Sequence, residues 1–228
     1  MSNLAIIPAR GGSKRIQRKN IKEFLGKPII AYSIETALES GLFEEVMVST
    51  DDDEIADMAK KYGASVPFFR SEENADDYAT LADVVDEVIG CYRKKNKYYE
   101  YVCCILPTAP LIDPGVFRKC YEIISGSDEY DSVRTTTPFS FPVQRAERYI
   151  DGKTEYIWPE YEKSRSQDLE AAYHDTGQFY WVTFEKGMHS TNGYRIIIPN
   201  IEVQDIDNED DWKLAELKYQ LLKKKIEK

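Results

Sequence analysis

Cysteine, histidine and long apolar runs are all scarce in this sequence, and each scarcity argues against a class of protein. The four cysteines are not spaced as CxxC, which disfavours a metal or redox centre and predicts reduced, buried thiols. No apolar run approaches the roughly 18 residues of a membrane span, and the N-terminus lacks the basic region of a secretory signal. The predicted location is therefore the cytoplasm, with no membrane partner.

The charge of one short segment differs from that of the rest of the chain. The chain carries 40 acidic and 30 basic residues, a net charge of −10, which disfavours nucleic acid as a partner because that binding requires a broad basic face. Residues 10–22 nevertheless contain six bases and no acid: Arg10, Lys14, Arg15, Arg18, Lys19 and Lys22. This basic loop is predicted to bind a small polyanion, and the alternative is a turn that is only solvated.

Short apolar runs alternate with amphipathic helical patterns in the first half of the 228 residues. This βα rhythm predicts an α/β fold, a Rossmann-like and mostly parallel sheet with helices on both faces and a ligand site at the carboxyl ends of the strands. The predicted strands are 4–7, 46–49, 66–69, 101–106, 132–137, 179–183, 194–199 and 201–206. The rhythm breaks over residues 138–178, which predicts a single domain, 1–228, with an inserted arm.

The basic loop directly follows the first predicted strand. Gly11 and Gly12 allow backbone N–H groups to approach a ligand and form a nest for anions, while nearby bases can neutralise phosphates. The loop is not a P-loop, because Lys14 is followed by Arg15, and the GxGxxG dinucleotide pattern is absent. A different phosphate-binding motif is therefore predicted.

Residues 8–15, PARGGSKR, together with residues 18–20, resemble the nucleotide-binding signature of the CMP-sugar synthetases. These cytidylyltransferases activate eight- and nine-carbon acidic sugars. Arg70 and residues 77–80 match the family's cytosine-contacting region, and residues 107–110 match its Pro-Thr-Ser/Ala-Pro turn. The resemblance implies a nucleotide-diphospho-sugar transferase (GT-A-like) fold and the joining of CTP and a nonulosonic acid, with release of pyrophosphate.

The resemblance assigns nucleotide binding to the basic loop and to two later segments. The implied residues are Ala9, Arg10, Gly11, Gly12, Ser13, Lys14, Lys19, Asn20, Arg70, Ala79 and Thr80. Arg10 and Lys19 are expected to hold the α-phosphate and the leaving pyrophosphate, and they are the predicted catalytic residues together with Asp207. A transfer of this kind depends mostly on positioning and charge neutralisation.

Asp205 and Asp207 are the predicted metal ligands. They lie two apart in a predicted strand, so their carboxylates would share one face and converge on Mg²⁺. Spacing alone leaves a turn or a helix cap before residues 208–211 as an equal alternative, and the match to the family's Asp-x-Asp motif favours the metal. Residues 51–53 are predicted to be a loop and a helix N-cap. No residue stands out as a general base.

The predicted sugar-binding residues are Leu106, Thr108, Arg165, His174, Gln178, Phe179 and Tyr180. Arg165 suits the sugar carboxylate and Gln178 suits acetamido groups, whereas Phe179 and Tyr180 are almost as well interpreted as ordinary strand core. Sialic acid synthetases carry glutamine where this sequence has Leu106. That difference disfavours N-acetylneuraminate and suits pseudaminic acid, which has a methyl group where sialic acid has a hydroxyl.

Residues 139–149 and 165–181 look most like the branch of the family that activates pseudaminic acid. Activation of legionaminic acid or N-acetylneuraminate is the alternative within the enzyme class, and a non-catalytic nucleotide-binding module is the alternative outside it. The resemblance also implies a homodimer or homotetramer. In that assembly the aromatic, Pro-rich arm of residues 138–178 would contact a second subunit.

Overall fold

The computed structural model describes residues 2–226. Its strands are β1 (Asn3–Pro8), β2 (Glu23–Phe24), β3 (Lys27–Pro28), β4 (Glu45–Ser49), β5 (Tyr101–Ile105), β6 (Ser132–Pro138), β7 (Glu147–Ile150), β8 (Lys153–Tyr156), β9 (Tyr173–Thr183) and β10 (Gly193–Ile197). Its helices are α1 (Ile29–Ser40), α2 (Asp53–Lys61), α3 (Glu72–Ala75), α4 (Leu81–Lys94), α5 (Pro114–Ser125) and α6 (Glu209–Ile226). Within this described range, no helix is both long and apolar enough to cross a membrane.

The main sheet has six strands in the order β10-β6-β9-β5-β1-β4. β9 runs antiparallel to both of its neighbours, and every other adjacent pair is parallel. The prediction of an α/β fold with a mostly parallel sheet is confirmed. Because β9 is reversed, its first residues lie at the edge of the sheet where the parallel strands end, and this edge carries the site.

The core forms two layers because successive side chains of a strand point to opposite faces of the sheet. On one face, Ile7 and Val48 pack with α1, α2 and α5. On the other face, Ile6 and Cys104 pack with α4. Cys104 is one of the predicted reduced thiols, and burial raises its pKa to about 12. Helices therefore cover both faces, as the βα rhythm predicts.

Two predicted strands do not form. Residues 66–69 contain Pro67, which cannot donate to a ladder, and only a single bridge between Met47 and Ser65 precedes them. Residues 201 and 202 belong to a 3-10 turn, Asn200–Glu202, and residues 203–206 then run as irregular chain. Their carbonyl groups bond to side chains instead of a neighbouring strand, as in the 2.6 Å bond from Lys218 Nζ to the Val203 carbonyl.

A third apolar cluster joins the basic loop to α6. Ile16 of the loop is 2% exposed and lies in one cluster with Phe24 and with Trp212 of α6. The Phe24 and Trp212 rings meet edge to face, with centroids 5.7 Å apart. This packing fixes the basic loop against the C-terminal helix.

The arm leaves the sheet between β6 and β9 and spans residues 139–172, because β9 already begins at Tyr173. Its β7–β8 hairpin is exposed, with Tyr149 75% and Ile150 48% accessible to solvent. An isolated two-stranded hairpin is marginally stable in water. The exposed Tyr149 and Ile150 give this hairpin an apolar surface that the described part of its own chain does not cover.

Candidate active site

Two adjoining clefts open at the edge where the parallel strands end. The first cleft has a volume of about 460 Å³ and is lined by the loops after β1 and β5 and by the start of α4. The second cleft, of about 640 Å³, is lined by the first residues of β9 and by the segment that leads to α6. Leu106 lines both clefts and marks their junction. Open α/β sheets bind ligands at this edge.

Most of the predicted nucleotide residues line the first cleft. They are Arg10, Ser13, Lys14, Lys19, Asn20, Arg70, Ala79 and Thr80. Backbone contacts hold the loop in place: Asn20 Nδ2 donates to the Arg10 carbonyl at 2.9 Å, and Lys19 Nζ donates to the Ile206 carbonyl at 2.7 Å. The basic side chains are thus brought to one wall of the cleft without any ligand.

Lys19 is half-buried, and its surroundings act on its charge in opposite directions. Burial lowers the pKa of its ammonium, whereas the carboxylates of Asp207 and Asp205 raise it. The ammonium therefore lies in a poorly hydrated position with two carboxylates nearby. A cation held in this way interacts strongly with charge that develops beside it.

The far wall of the first cleft combines fixed polar groups with an apolar surface. Buried Arg70 donates from Nε to Ser49 Oγ at 3.1 Å and from its terminal nitrogen to the Ser49 carbonyl at 2.6 Å. Thr80 caps α4 by accepting the Asp83 N–H at 3.3 Å, and Val84 lies one turn further along. A flat nucleobase needs both kinds of contact.

Among the described residues, five of the six bases of the loop, all except Lys19, pair with acidic side chains that are distant in sequence. Asp77 pairs with Arg10 at 3.0 Å and also contacts the Lys14 ammonium. Asp207 pairs with Arg15 at 2.7 Å. The loop is therefore not an unpaired basic turn, and an incoming polyanion would exchange for Asp77.

Ala9, Gly11 and Gly12 do not line the first cleft, so their predicted contact with the nucleotide stays a prediction. The Gly11 N–H donates to Asp51 Oδ1 at 2.9 Å. A Cβ at Gly11 would lie 2.7 Å from Asp52 Oδ2. Gly11 thus accommodates the acidic loop after β4, where Asp52 caps α2 as predicted.

The second cleft carries a network of polar side chains. Tyr180 Oη donates to Asp175 Oδ1 at 2.8 Å, and Asp175 also pairs with Arg134 at 2.8 Å. Burial and the Asp175 carboxylate both raise the pKa of the Tyr180 phenol, which keeps it protonated. His174 and Lys218 complete the polar lining. Hydroxyl, imidazole, carboxylate and ammonium groups are thus available to a polar ligand such as a sugar.

Strand alternation separates two residues that were predicted to act together. Tyr180 lines the second cleft, whereas Phe179 is 1% exposed and lies in the core. The Phe179 ring packs edge-on against Phe117, with centroids 4.8 Å apart. The prediction of a sugar contact by Phe179 is wrong, because adjacent residues of a strand point to opposite faces.

Three other predicted sugar residues lie outside the second cleft. Gln178 is buried, and its Nε2 donates to the Glu202 carbonyl at 2.6 Å. Arg165 lies on the arm, exposed and paired with Asp168 at 2.6 Å. Thr108 lines the first cleft. Within one chain, only Leu106, His174 and Tyr180 of the predicted set reach the second cleft.

The two predicted metal ligands do not line the same cleft, and Asp207 lines neither of the two. Asp205 lines the second cleft, whereas the carboxylate of Asp207 pairs with Arg15 of the first. The segment is not a strand, so the predicted convergence on one strand face is wrong, and the cap of α6 is made by Asn208 instead. Across the part of the chain that the structure describes, no group of three potential metal ligands forms. Two carboxylates are nevertheless enough for Mg²⁺ that also binds phosphate and water.

Sequence reasoning missed three residues of the site. Asp77 and Asp175 lie inside segments that resemble the family, next to predicted site residues. That position is the sequence signal that could have identified them. Lys218 lies in α6 without any motif, and its Nζ bonds to the carbonyls of Asn200 and Val203 at 3.1 and 2.6 Å. Its place in the lining of the second cleft follows only from the tertiary structure.

The sheet topology and the basic first cleft fit an enzyme that binds a nucleotide. Residues 4–182 match the family model described as Cytidylyltransferase. The chain therefore belongs to the cytidylyltransferase family and is a CTP-dependent nucleotidyltransferase.

Two curated relatives cover nearly all of this chain. A pseudaminic acid cytidylyltransferase of Campylobacter jejuni is 43% identical over 97% of both chains. A CMP-N,N'-diacetyllegionaminic acid synthase of Legionella pneumophila is 35% identical over 95% of both. Among solved structures, a CMP:2-keto-3-deoxy-manno-octonic acid synthetase complexed with CTP aligns with a TM-score of 0.67, 13% identity and coverage of 98% of this chain and 100% of that one. At that identity the structural match establishes the fold alone.

Proposed function

We propose that this enzyme joins CTP and pseudaminic acid to give CMP-pseudaminic acid and pyrophosphate. The observation that carries the choice of sugar is the 43% identity, over 97% of both chains, to a pseudaminic acid cytidylyltransferase. The clefts support it, because one is lined by bases that suit a triphosphate and the other has room for a nine-carbon sugar. The two substrates would meet at Leu106.

CTP would occupy the first cleft. Its cytosine would lie beside Arg70 and Thr80, and its phosphates would lie along the basic loop. Arg10 and Lys14 would exchange the carboxylate of Asp77 for the oxygens of the β- and γ-phosphates. This exchange replaces one exposed carboxylate by a more highly charged group, so it favours binding of the nucleotide.

The sugar's anomeric hydroxyl would attack the α-phosphorus. A new P–O bond forms, the bond between the α-phosphorus and the pyrophosphate oxygen breaks, and the hydroxyl proton passes to solvent. Negative charge accumulates on the α-phosphate oxygens and on the leaving group, beside Lys19. Its ammonium is already held by the Ile206 carbonyl, so it stabilises this charge with little reorganisation.

Mg²⁺ is the proposed cofactor, with Asp205 and Asp207 as its protein ligands. These are hard oxygen donors, and Mg²⁺ takes one or two carboxylates and completes its coordination with water and phosphate oxygens. Asp207 would leave Arg15 to bind the ion. When bound, the ion would neutralise phosphate charge.

The second cleft would hold the sugar. Leu106 offers an apolar contact at the junction, and His174 and Tyr180 offer polar ones. The competing substrate is legionaminic acid, which the 35% identity to the Legionella pneumophila synthase favours. N-acetylneuraminate would be a poor substrate, because Leu106 provides no polar partner for its additional hydroxyl.

A homodimer or homotetramer would cover the exposed arm, and the arm is the surface through which a second copy would bind. Trp158 and Phe141, at 38% and 84% exposure, add to the apolar surface of the hairpin. The assembly would work in the cytoplasm, where CTP is available. Sedimentation velocity at micromolar concentration tests the assembly, and a fully active monomer would contradict it.

The substrate is tested by pyrophosphate release with CTP in excess and one sugar at a time. We expect kcat/KM for pseudaminic acid to exceed that for N-acetylneuraminate by about 100-fold, and mass spectrometry should detect the CMP-sugar. Legionaminic acid is the third sugar tested in the assay. Equal values, or a preference for either other sugar, would contradict the assignment. Binding of CTP without turnover on any sugar would favour the non-catalytic module.

A further inference from the structure

Asp211 lines neither cleft, yet it bonds directly to the segment that carries the proposed metal ligands. Its Oδ2 accepts the N–H of Asp207 at 3.0 Å and the N–H of Asn208 at 3.1 Å. Asn208 Oδ1 in turn accepts the N–H of Asp211 at 3.0 Å. These reciprocal bonds form a cap at the first turn of α6, where the helix dipole also favours a carboxylate.

This cap is fixed relative to the basic loop. Trp212, the residue after Asp211, lies in one buried cluster with Ile16 of the loop. The backbone of Asp207 is therefore held between α6 and the basic loop, and its carboxylate reaches Arg15 at 2.7 Å. A displacement of the Asp207 backbone would move this carboxylate away from Arg15 and from the first cleft, which Arg15 lines.

We propose that Asp211 is a positioning residue for Asp207. It fixes the Asp207 backbone so that the carboxylate stays beside Arg15 of the first cleft. The proposal rests on the proposed function, in which Asp207 binds Mg²⁺. Asp211 acts through the position of its acceptor oxygen and not through its charge, because a single carboxylate oxygen accepts both N–H groups. The side-chain oxygen of asparagine can accept the same two N–H groups.

Three substitutions separate position from charge. Asp211→Asn removes the charge and keeps the acceptor, so it should retain kcat within about threefold. Asp211→Ala removes the acceptor, and Asp211→Glu keeps the charge but displaces it by a methylene. Both should lower kcat by about 10- to 100-fold, as is typical when a group that orients a metal ligand is lost, with the KM for CTP unchanged. Asp210→Ala is the matched control, because Asp210 lies in the same turn and its side chain pairs with Lys213 at 3.1 Å.

A second readout is Mn²⁺ binding to the CTP complex, followed by water-proton relaxation. The Ala and Glu variants should bind Mn²⁺ about tenfold more weakly than the wild type and the Asp210→Ala control. Thermal unfolding checks that each variant is folded, and if the Ala variant does not fold, the Asn and Glu variants decide. An inactive Asn variant with an active Glu variant, or four variants that all match the wild type, would overturn the proposal. A wild type that releases no pyrophosphate with any sugar, but shows this Mn²⁺ pattern, would refute the proposed function and leave the positioning role intact.

Discussion

Replacement of Lys19 by alanine should abolish most of the turnover while the protein stays folded. Lys19 reaches from the basic loop to the Ile206 carbonyl at 2.7 Å and lines the first cleft. In the proposed reaction its ammonium is a fixed donor to charge that develops as pyrophosphate leaves. Loss of one such donor typically lowers kcat by about 100- to 1000-fold, which corresponds to about 2.7–4 kcal/mol of transition-state stabilisation. We expect a loss in this range for Lys19→Ala.

The cost to stability should be too small to unfold the protein. Lys19→Ala removes one charge-assisted hydrogen bond to a carbonyl, which contributes about 1.5–3 kcal/mol. In a protein of this size, such a loss lowers Tm by about 3–12 °C. The variant should therefore be fully folded at 25 °C, and circular dichroism with thermal unfolding measures this directly.

Lys22→Ala is the matched control. Lys22 directly follows the 3-10 turn Lys19–Ile21, which begins at Lys19. It pairs with Glu209 at 2.6 Å, and its ammonium lies over the Trp212 ring, 4.6 Å from the ring centroid. It does not line the first cleft, so its removal should change kcat by less than about threefold. The assay is pyrophosphate release at saturating CTP and sugar. A Lys19→Ala variant within threefold of the wild type, or an equal loss in Lys22→Ala, would refute the reasoning.

Three further predictions follow from the geometry. Leu106→Gln should narrow the preference for pseudaminic acid over N-acetylneuraminate, measured as the ratio of kcat/KM, mainly by slowing the preferred reaction. Asp77→Asn should lower the KM for CTP by up to about fivefold, because Asp77 competes with phosphate for Arg10 in an exposed ion pair, and an unchanged or higher KM would exclude that competition. Burial would raise the pKa of Glu45, but hydrogen bonds led by that from Lys97 lower it to about 2, from 4.5. Ionised Glu45 therefore adds about 3 kcal/mol to the free energy of unfolding above pH 4.5, and this stabilisation is lost as the pH falls towards 2. Urea unfolding of Glu45→Gln should not show this loss of stability on acidification.

Strand and helix positions in the first half of the chain could be predicted because their cause is local. A run such as 4–7 is apolar throughout, as a strand covered on both faces must be, and the helical stripes repeat every three to four residues. The basic loop was predictable for the same reason, since six bases fall within residues 10–22. The pattern failed at 66–69 and 201–206, where apolar residues recur without a neighbouring strand to accept the backbone bonds.

The sugar-binding residues were harder to predict. Strand alternation shows that neighbouring residues face opposite sides of the sheet, but it does not show which of them faces the site. The sequence requires that Phe179 and Tyr180 face opposite ways, and only the position of β9 between β5 and β6 decides which of them meets the cleft. Gln178 is buried for a comparable reason, because the segment around Glu202 folds over it. Arg165 lines neither cleft, because it lies on an exposed part of the arm where it pairs with Asp168.

The sequence by itself determined the α/β class, the phosphate-binding loop and the family, because each depends on residues that are close together along the chain. Only the tertiary structure decided how that loop is neutralised and held. Asp77 meets Arg10 across 67 positions, and the Ile206 carbonyl meets Lys19 across 187, counted along the chain. Such contacts depend on where α6 and the segment before α4 pack. That packing is set by the burial of apolar side chains such as Ile16 and Trp212, and local patterns do not reveal which distant partner a side chain will meet.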